Sequence, residues 1–305
     1  MPLLHCAKAP NEMTGAPHQT LKSRRAIITG GSQGLGYAIA TAFLSHGADV
    51  LICARTQGDL DSAKARLEAA FPLRRIETEV ADVAETSDVR RLFETADRRF
   101  GAYHIVVNNA GVHGPIGRFE DSDIASWIRA ISVNLCGVAH VCHSAVKHFK
   151  EAGYGKVINL SGGGATAPQF GLSAYAASKA GLVRFTETLA MECMGLGIDV
   201  NAVAPGALVT RLTAELEESG PDAIGHSAHG RVVEMRKKGG SPLEKAAELC
   251  VYLSSDESNG LSGRLISAAW DPWPFSPEQI KNLMASDIYT LRRIVPEDRG
   301  LDWGR

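Results

Sequence analysis

From Arg24 onward the chain alternates short β-branched apolar runs with longer stretches whose apolar positions recur at helical spacing. The short runs Ala26–Thr29, Val50–Ala54, Ile76–Val80, His104–Asn108, Val157–Leu160, Ile198–Val203 and Arg264–Ile266 predict strands. Between them, Gly36–His46, Asp59–Ala70, Ser87–Arg99, Ser122–Lys150, Ala174–Met194 and Leu243–Leu253 predict helices. Strict strand–helix alternation predicts a parallel sheet covered by helices on both faces. Because crossovers are right-handed, the expectation is an α/β, doubly wound, Rossmann-like sheet of about seven strands.

No repeat at solenoid spacing and no interior linker interrupts this pattern, so one domain is expected over residues 21–270. Residues 1–20, with Pro2, Pro10, Gly15 and Pro17 and no apolar period, read as a flexible arm. Residues 271–305 form an extension. Its start, Trp270-Asp271-Pro272-Trp273-Pro274-Phe275, is too apolar and aromatic for simple disorder.

Composition narrows the function classes. Of 305 residues, 45% are hydrophobic and 22% charged, as in a soluble globular protein. Lys and Arg number 32 against 34 Asp and Glu, leaving no basic excess to draw nucleic acid or an anionic membrane. No unbroken apolar run reaches the ~18 residues of a membrane span, and no secretory signal pattern opens the chain. Six cysteines without a C-x-x-C pair suit free thiols in a reducing cytoplasm.

After the first strand comes Thr29-Gly30-Gly31-Ser32-Gln33-Gly34-Leu35-Gly36, opening the first helix. Glycines there permit a tight turn and let backbone N–H groups approach a pyrophosphate at the positive helix end. A glycine cluster by itself also fits a plain strand-to-helix turn; its place at the first strand–helix junction of an alternating chain favours the dinucleotide reading. An acid that accepts a bond from the NAD ribose usually lies about 20 residues on. Here the second strand ends at Cys53-Ala54-Arg55-Thr56, with no acid before Asp59. A guanidinium at Arg55 suits the 2′-phosphate of NADP, so NADP(H) is expected over NAD(H).

Taken with the glycine loop, several further motifs resemble the short-chain dehydrogenase/reductase superfamily, in its single-domain branch, over residues 22–268. They are Asp82-Val83, Asn108-Asn109-Ala110-Gly111, Asn134, Tyr175-Ala176-Ala177-Ser178-Lys179, and Asn201-Ala202-Val203-Ala204-Pro205-Gly206 with Thr210. The resemblance implies that Gly30, Ser32, Gln33, Gly34, Leu35 and Gly36 carry the cofactor and that Asp82 and Val83 flank its adenine. It further implies that Asn109, Ala110 and Gly111 line the cleft and that Pro205, Gly206 and Thr210 border the nicotinamide.

Tyr175 and Lys179 stand at i and i+4, on one face of a helix. A free phenol with pKa near ~10 is a poor acid–base catalyst at neutral pH. A neighbouring ammonium and a cationic nicotinamide both favour the phenolate. The expected reaction interconverts a secondary alcohol and a ketone, with Tyr175 exchanging the proton. Lys179 is expected to lower the phenol pKa and hold the ribose. The resemblance implies that Asn134 orders a water linking Lys179 to solvent.

The pattern departs at one point. The family serine falls about 13 residues before the tyrosine, and that position is Gly162, within Leu160-Ser161-Gly162-Gly163-Gly164-Ala165-Thr166. Ser161 is one residue early, where strand alternation points it away. Ser161, N–H groups of the glycine run and Thr166 all stand as candidate carbonyl donors. Gly162 is also what supports a competing reading, a nucleotide-binding regulatory or scaffold protein that has lost turnover.

Cys136, His140, Cys142, His143 and His148 share a helical stretch, but closed zinc sites pair ligands across turns, so no metal is expected. His226 and His229 fall in a stretch between Thr210 and Pro242 that resembles the family's substrate lid and reads as solvated loop. Arg236-Lys237-Lys238 reads as wet surface. The aromatic tail is expected on a neighbouring subunit, over the substrate pocket or on its own domain. The helices from Ser122 and Ala174 imply, by resemblance, a homodimer or homotetramer. The small-molecule substrate is left open among a β-ketoacyl thioester, a sugar or nucleotide-linked sugar, and a small cyclic alcohol.

Overall fold

The computed structural model describes residues 20–303; nearly all of the expected N-terminal arm lies outside the described residues. Seven strands, β1 (Arg25–Thr29), β2 (Asp49–Ala54), β3 (Ile76–Val80), β4 (Ile105–Asn108), β5 (Gly155–Leu160), β6 (Ile198–Ala204) and β7 (Leu265–Ser267), form one parallel sheet. Their order is β3-β2-β1-β4-β5-β6-β7, a doubly wound Rossmann-like arrangement.

The interiors of β1, β2 and β4 are apolar because both sheet faces are covered there, whereas the edge strand β3 carries Glu77, Thr78 and Glu79. Successive residues take opposite sides: Ile28, Ile52 and Val107 belong to one core, and Ile27, Leu51 and Val106 to the other. The first core contains side chains of α1 (Gly34–Ser45) and α2 (Gln57–Ala70). The second contains those of α3 (Thr86–Phe100), including Leu92 and Phe93.

The helix expected over Ser122–Lys150 is two helices, α4 (Ile124–Ile131) and α5 (Gly137–Ala152), joined without a break by a π-helical turn at Ser132–Cys136. By length and composition the whole run Ile124–Ala152 is apolar enough to cross a membrane, although no stretch of it is unbroken by polar residues for 18 positions. The run contains polar residues, so only its average hydropathy reveals this. Here Val138, Val141, Ala145 and Phe149 of α5 are buried in the second core. Beside it lies α6 (Ser173–Glu192), which contributes Leu182 and Val183.

The stretch after Thr210, expected to be solvated loop, is helical: α7 (Arg211–Glu218), α8 (Gly220–Ile224) and α9 (His226–Lys237). The last two helices are α10 (Leu243–Ser254), which returns to the first core, and α11 (Pro277–Met284). The C-terminal extension docks on its own domain: Phe275, Ile280 and Leu283 are buried with Leu249 and Leu253 of α10. Trp273 stacks on Tyr252 with ring centroids 6.3 Å apart. Trp270 stays exposed.

Candidate active site

Strand order reverses between β1 and β4, and in such sheets ligands sit beyond the carboxyl ends of the strands at that reversal. A cavity of about 390 Å³ opens there. One rim is the glycine loop. Gly30 has φ +64°, and a Cβ at Gly36 would stand 2.1 Å from the Gly30 carbonyl oxygen, so only glycine lets helix and loop approach this closely. The loop is fastened from β4. Asn109 Nδ2 donates to the carbonyl oxygens of Thr29 and Gly30, both at 3.0 Å, and Thr29 Oγ1 accepts from the N–H groups of Asn109 and Ala110.

Gly30, Ser32, Gln33, Gly34, Leu35, Gly36, Asn109, Ala110 and Gly111 all line this cavity, as do Arg55, Asp82, Val83, Pro205, Gly206 and Thr210. Arg55 sits just past β2, exposed, and among the described residues its guanidinium has no ion pair or hydrogen bond. The Asp82 carboxylate accepts from Arg129 and from the Ala84 N–H. Thr210 precedes α7 and its methyl lies 4.0 Å from where a Gly34 Cβ would be, so the lid begins against the glycine loop. Close backbone approach and a helix N-terminus together fit a dinucleotide.

Tyr175, Lys179 and Ser161 line the same cavity. Lys179 is buried and its Nζ donates to the Leu160 carbonyl oxygen at 2.7 Å. In the chain by itself, burial pushes the Tyr175 phenol up to about 12 and the Lys179 ammonium down to about 8. The expected lowering of the phenol pKa draws on the ammonium together with a cationic nicotinamide; in the chain by itself burial is the cause that acts. The amine lies 5.8 Å from the ring centroid and is engaged elsewhere, so loss of water dominates both groups.

Asn134 is the one predicted site residue outside the cavity lining. It sits in the π-helical turn, a feature common near functional sites. Its Oδ1 accepts from Val112 N–H at 2.9 Å, while Nδ2 donates to Val112 O and Ser178 Oγ. A Cβ on Gly111 would lie 3.4 Å from Asn134 Oδ1 and 3.7 Å from Lys179 Nζ, so the glycine lets all three elements meet.

The departure at Gly162 has a steric counterpart. A Cβ there would fall 2.2 Å from the Tyr175 hydroxyl, so the phenol occupies the space that a side chain at 162 would need. Ser161 lies just past β5, where strand alternation no longer governs it. Its hydroxyl is buried without a hydrogen-bond partner and the residue faces the cavity, contrary to the alternation argument. Thr166 is exposed and away from the lining.

Two features escaped sequence reasoning. Leu212 and Leu216, one turn apart on α7, line the cavity from the lid and Leu208 lines it from the segment before α7; the i, i+4 spacing was visible in the sequence. His113, 4% exposed, lines the cavity two residues past Gly111; its place at the carboxyl end of β4 was the available signal. The lid histidines do not line it, and His229 Nε2 lies 2.9 Å from the Glu217 carbonyl oxygen. Among the helix cysteines and histidines, Cys142 Sγ accepts from Asn108, His140 contacts the Val83 carbonyl oxygen and His148 stacks on Tyr103.

Comparison with known proteins agrees with this geometry. The chain is 36% identical over 251 residues to 3beta-hydroxysteroid dehydrogenase 1 of Eggerthella lenta, covering 81% of this chain and 92% of that one. It is 31% identical over 250 residues to cis-4-hydroxycyclohexanecarboxylate dehydrogenase of Sinomonas cyclohexanicum, covering 82% and 96%. A gluconate 5-dehydrogenase from Burkholderia cenocepacia, solved in complex with NADP and tartrate, superposes with a TM-score of 0.72 at 26% identity, covering 83% and 96%. Residues 24–220 match the family model of short chain dehydrogenase. The chain therefore belongs to the short-chain dehydrogenase/reductase family, oxidoreductases that act on CH–OH groups with NAD(P).

Proposed function

We propose that the protein is an NADP(H)-dependent oxidoreductase interconverting a secondary alcohol and a ketone, with Tyr175 as its acid–base group. One observation carries the reading: the Tyr175 phenol, the Lys179 ammonium and the unpartnered Ser161 hydroxyl share a cleft with the glycine loop and Arg55.

When bound, the nicotinamide cofactor supplies or takes up the hydride. The backbone of Gly30–Gly36 and the helix behind it receive the pyrophosphate, Arg55 receives the 2′-phosphate, and Lys179 holds the ribose. Asp82 and Val83 flank the adenine; Pro205, Gly206 and Thr210 border the nicotinamide. Ser161 donates to the reacting oxygen. Tyr175 gives that oxygen its proton in reduction and takes it back in oxidation. A phenol pushed up to about 12 is protonated at neutral pH, the form that gives a proton to a ketone oxygen, and an added positive charge would stabilise its phenolate. Both donors of the Asn134 amide are spent inside the fold. The amide thus positions Val112, and the oxygens of Asn134 are what would order a water linking Lys179 to solvent.

Of the substrates left open by the sequence, a compact cyclic alcohol or ketone has the most support. Val112, Leu172, Leu208, Leu212 and Leu216 give the cavity an apolar side, and two relatives are named for a hydroxysteroid and a hydroxycyclohexanecarboxylate. Exposed Ile124 and Ile128 on α4 support a homodimer or homotetramer. The free thiols, Cys53, Cys136, Cys142, Cys193 and Cys250 among the described residues, support a cytoplasmic setting.

The test is NADPH titration by fluorescence followed by absorbance assays with a panel of cyclic ketones, sugars and β-ketoacyl thioesters. NADPH oxidation with a cyclic ketone is expected. Tight binding with no turnover on any of them favours the regulatory or scaffold reading instead.

A further inference from the structure

His113 carries a chemistry that the reaction does not use. Its Nδ1 is buried with no hydrogen bond, although Glu215 Oε2 on α7 stands 3.3 Å away. The imidazole meets the Tyr175 ring edge-on, with centroids 5.0 Å apart, and both residues line the cavity. Burial, and then the Lys179 ammonium, push its pKa down to about 4, so the ring is neutral through the ordinary working range. Glu215 is oriented from its other oxygen, with Arg211 Nε 3.4 Å from Oε1. A buried polar atom left open, when most such atoms in folded proteins are satisfied, points to a ligand atom as its partner.

We infer that His113, with Glu215 opposite, determines specificity by reading a second oxygen function, carbonyl or hydroxyl, on a substrate whose body is otherwise apolar. The inference rests on the cleft being the alcohol–ketone site. A neutral imidazole N–H donates to a carbonyl oxygen. A hydroxyl in the same place accepts that bond and donates onward to the Glu215 carboxylate. A ketone with no second oxygen leaves the buried His113 nitrogen facing apolar substrate, where a missing partner costs more than a made bond contributes. Val112, Leu172 and Leu216 also line the cavity and suit a compact apolar body.

The experiment separates binding from turnover. Calorimetry measures cyclohexanone and the 1,2-, 1,3- and 1,4-cyclohexanediones binding to protein loaded with NADP+, which cannot reduce a ketone. At least one dione is expected to bind about tenfold more tightly than cyclohexanone. His113→Leu is expected to remove that preference while leaving cyclohexanone within about twofold. His113→Gln, which keeps an N–H donor, restores part of it. Glu215→Ala, on the partly exposed lid, gives an independent arm with an expected loss of about threefold for a hydroxyketone and little change for cyclohexanone. Melting temperatures check that each variant is folded.

Equal affinity for all four ketones, no binding of any, or a His113→Leu loss shared equally by mono- and diketone would overturn the inference. A dione preference that depends on His113, with NADPH never oxidised, sustains it while refuting the proposed reaction.

Discussion

The two halves of the cleft are built on opposite principles. On the glycine-loop side, polar groups close on one another: Asn109 and Thr29 tie the loop to the end of β4, and Asn134 clamps Val112. On the substrate side, Ser161 Oγ and His113 Nδ1 are buried and open. The first half is a rigid cradle whose geometry is complete without a ligand. The second is completed by what binds. Buried hydrogen bonds that close inside the fold position backbone, whereas those left open are held for a guest.

Ser161→Ala should break the open half most severely. A missing donor to the reacting oxygen lowers kcat by about 10²–10³ with little change in NADPH affinity, as steady-state kinetics and cofactor titration would read. An unchanged kcat removes Ser161 from the mechanism. Gly162→Ser need not compensate, because its Cβ would crowd the Tyr175 hydroxyl.

In the closed half, Gly36→Ala presses a methyl onto the Gly30 carbonyl oxygen. Overpacking of this kind costs about 1–3 kcal/mol, expected here as a weaker NADPH dissociation constant with kcat at saturation nearly kept. If kcat falls and affinity holds, the division between the halves is wrong. Arg55→Ala is milder: NADPH binding should weaken about tenfold and NADH binding stay unchanged, by competitive titration. Equal losses for both cofactors would end the NADP assignment.

The pH dependence is the smallest effect. Burial lowers the Lys179 pKa from 10.5 to about 8, so the ammonium is intact below that pH and lost as pH rises through it. Ketone reduction should fall with an apparent pKa near about 8, halving there. A rate level to about pH 10 separates the ammonium from the reaction.

The closed half was legible in the sequence because its constraints are local. Gly30 to Gly36 follow the first strand directly, Asn109 follows the fourth, and the Tyr175–Lys179 spacing fixes a helix face. The open half depends on contacts between distant segments. His113 gains its meaning only when α7 brings Glu215 within 3.3 Å. The helices α7–α9 were obscured by Gly220, Gly225 and Gly230, although Leu212 and Leu216 marked a face of α7. The opposing pKa shifts of Tyr175 and Lys179 follow from burial, which i, i+4 spacing does not encode. The tail offered several docking places, and Phe275, Ile280 and Leu283 chose the core beside α10.

The central claim concerns the proton. Replacing Tyr175 with Phe removes one hydroxyl from a buried ring. Measured with NADPH and the best cyclic ketone, Tyr175→Phe should lower kcat by about 10²–10⁴ while the NADPH dissociation constant stays within about twofold. A variant that binds NADPH normally and reduces the ketone at the wild-type rate would contradict the account.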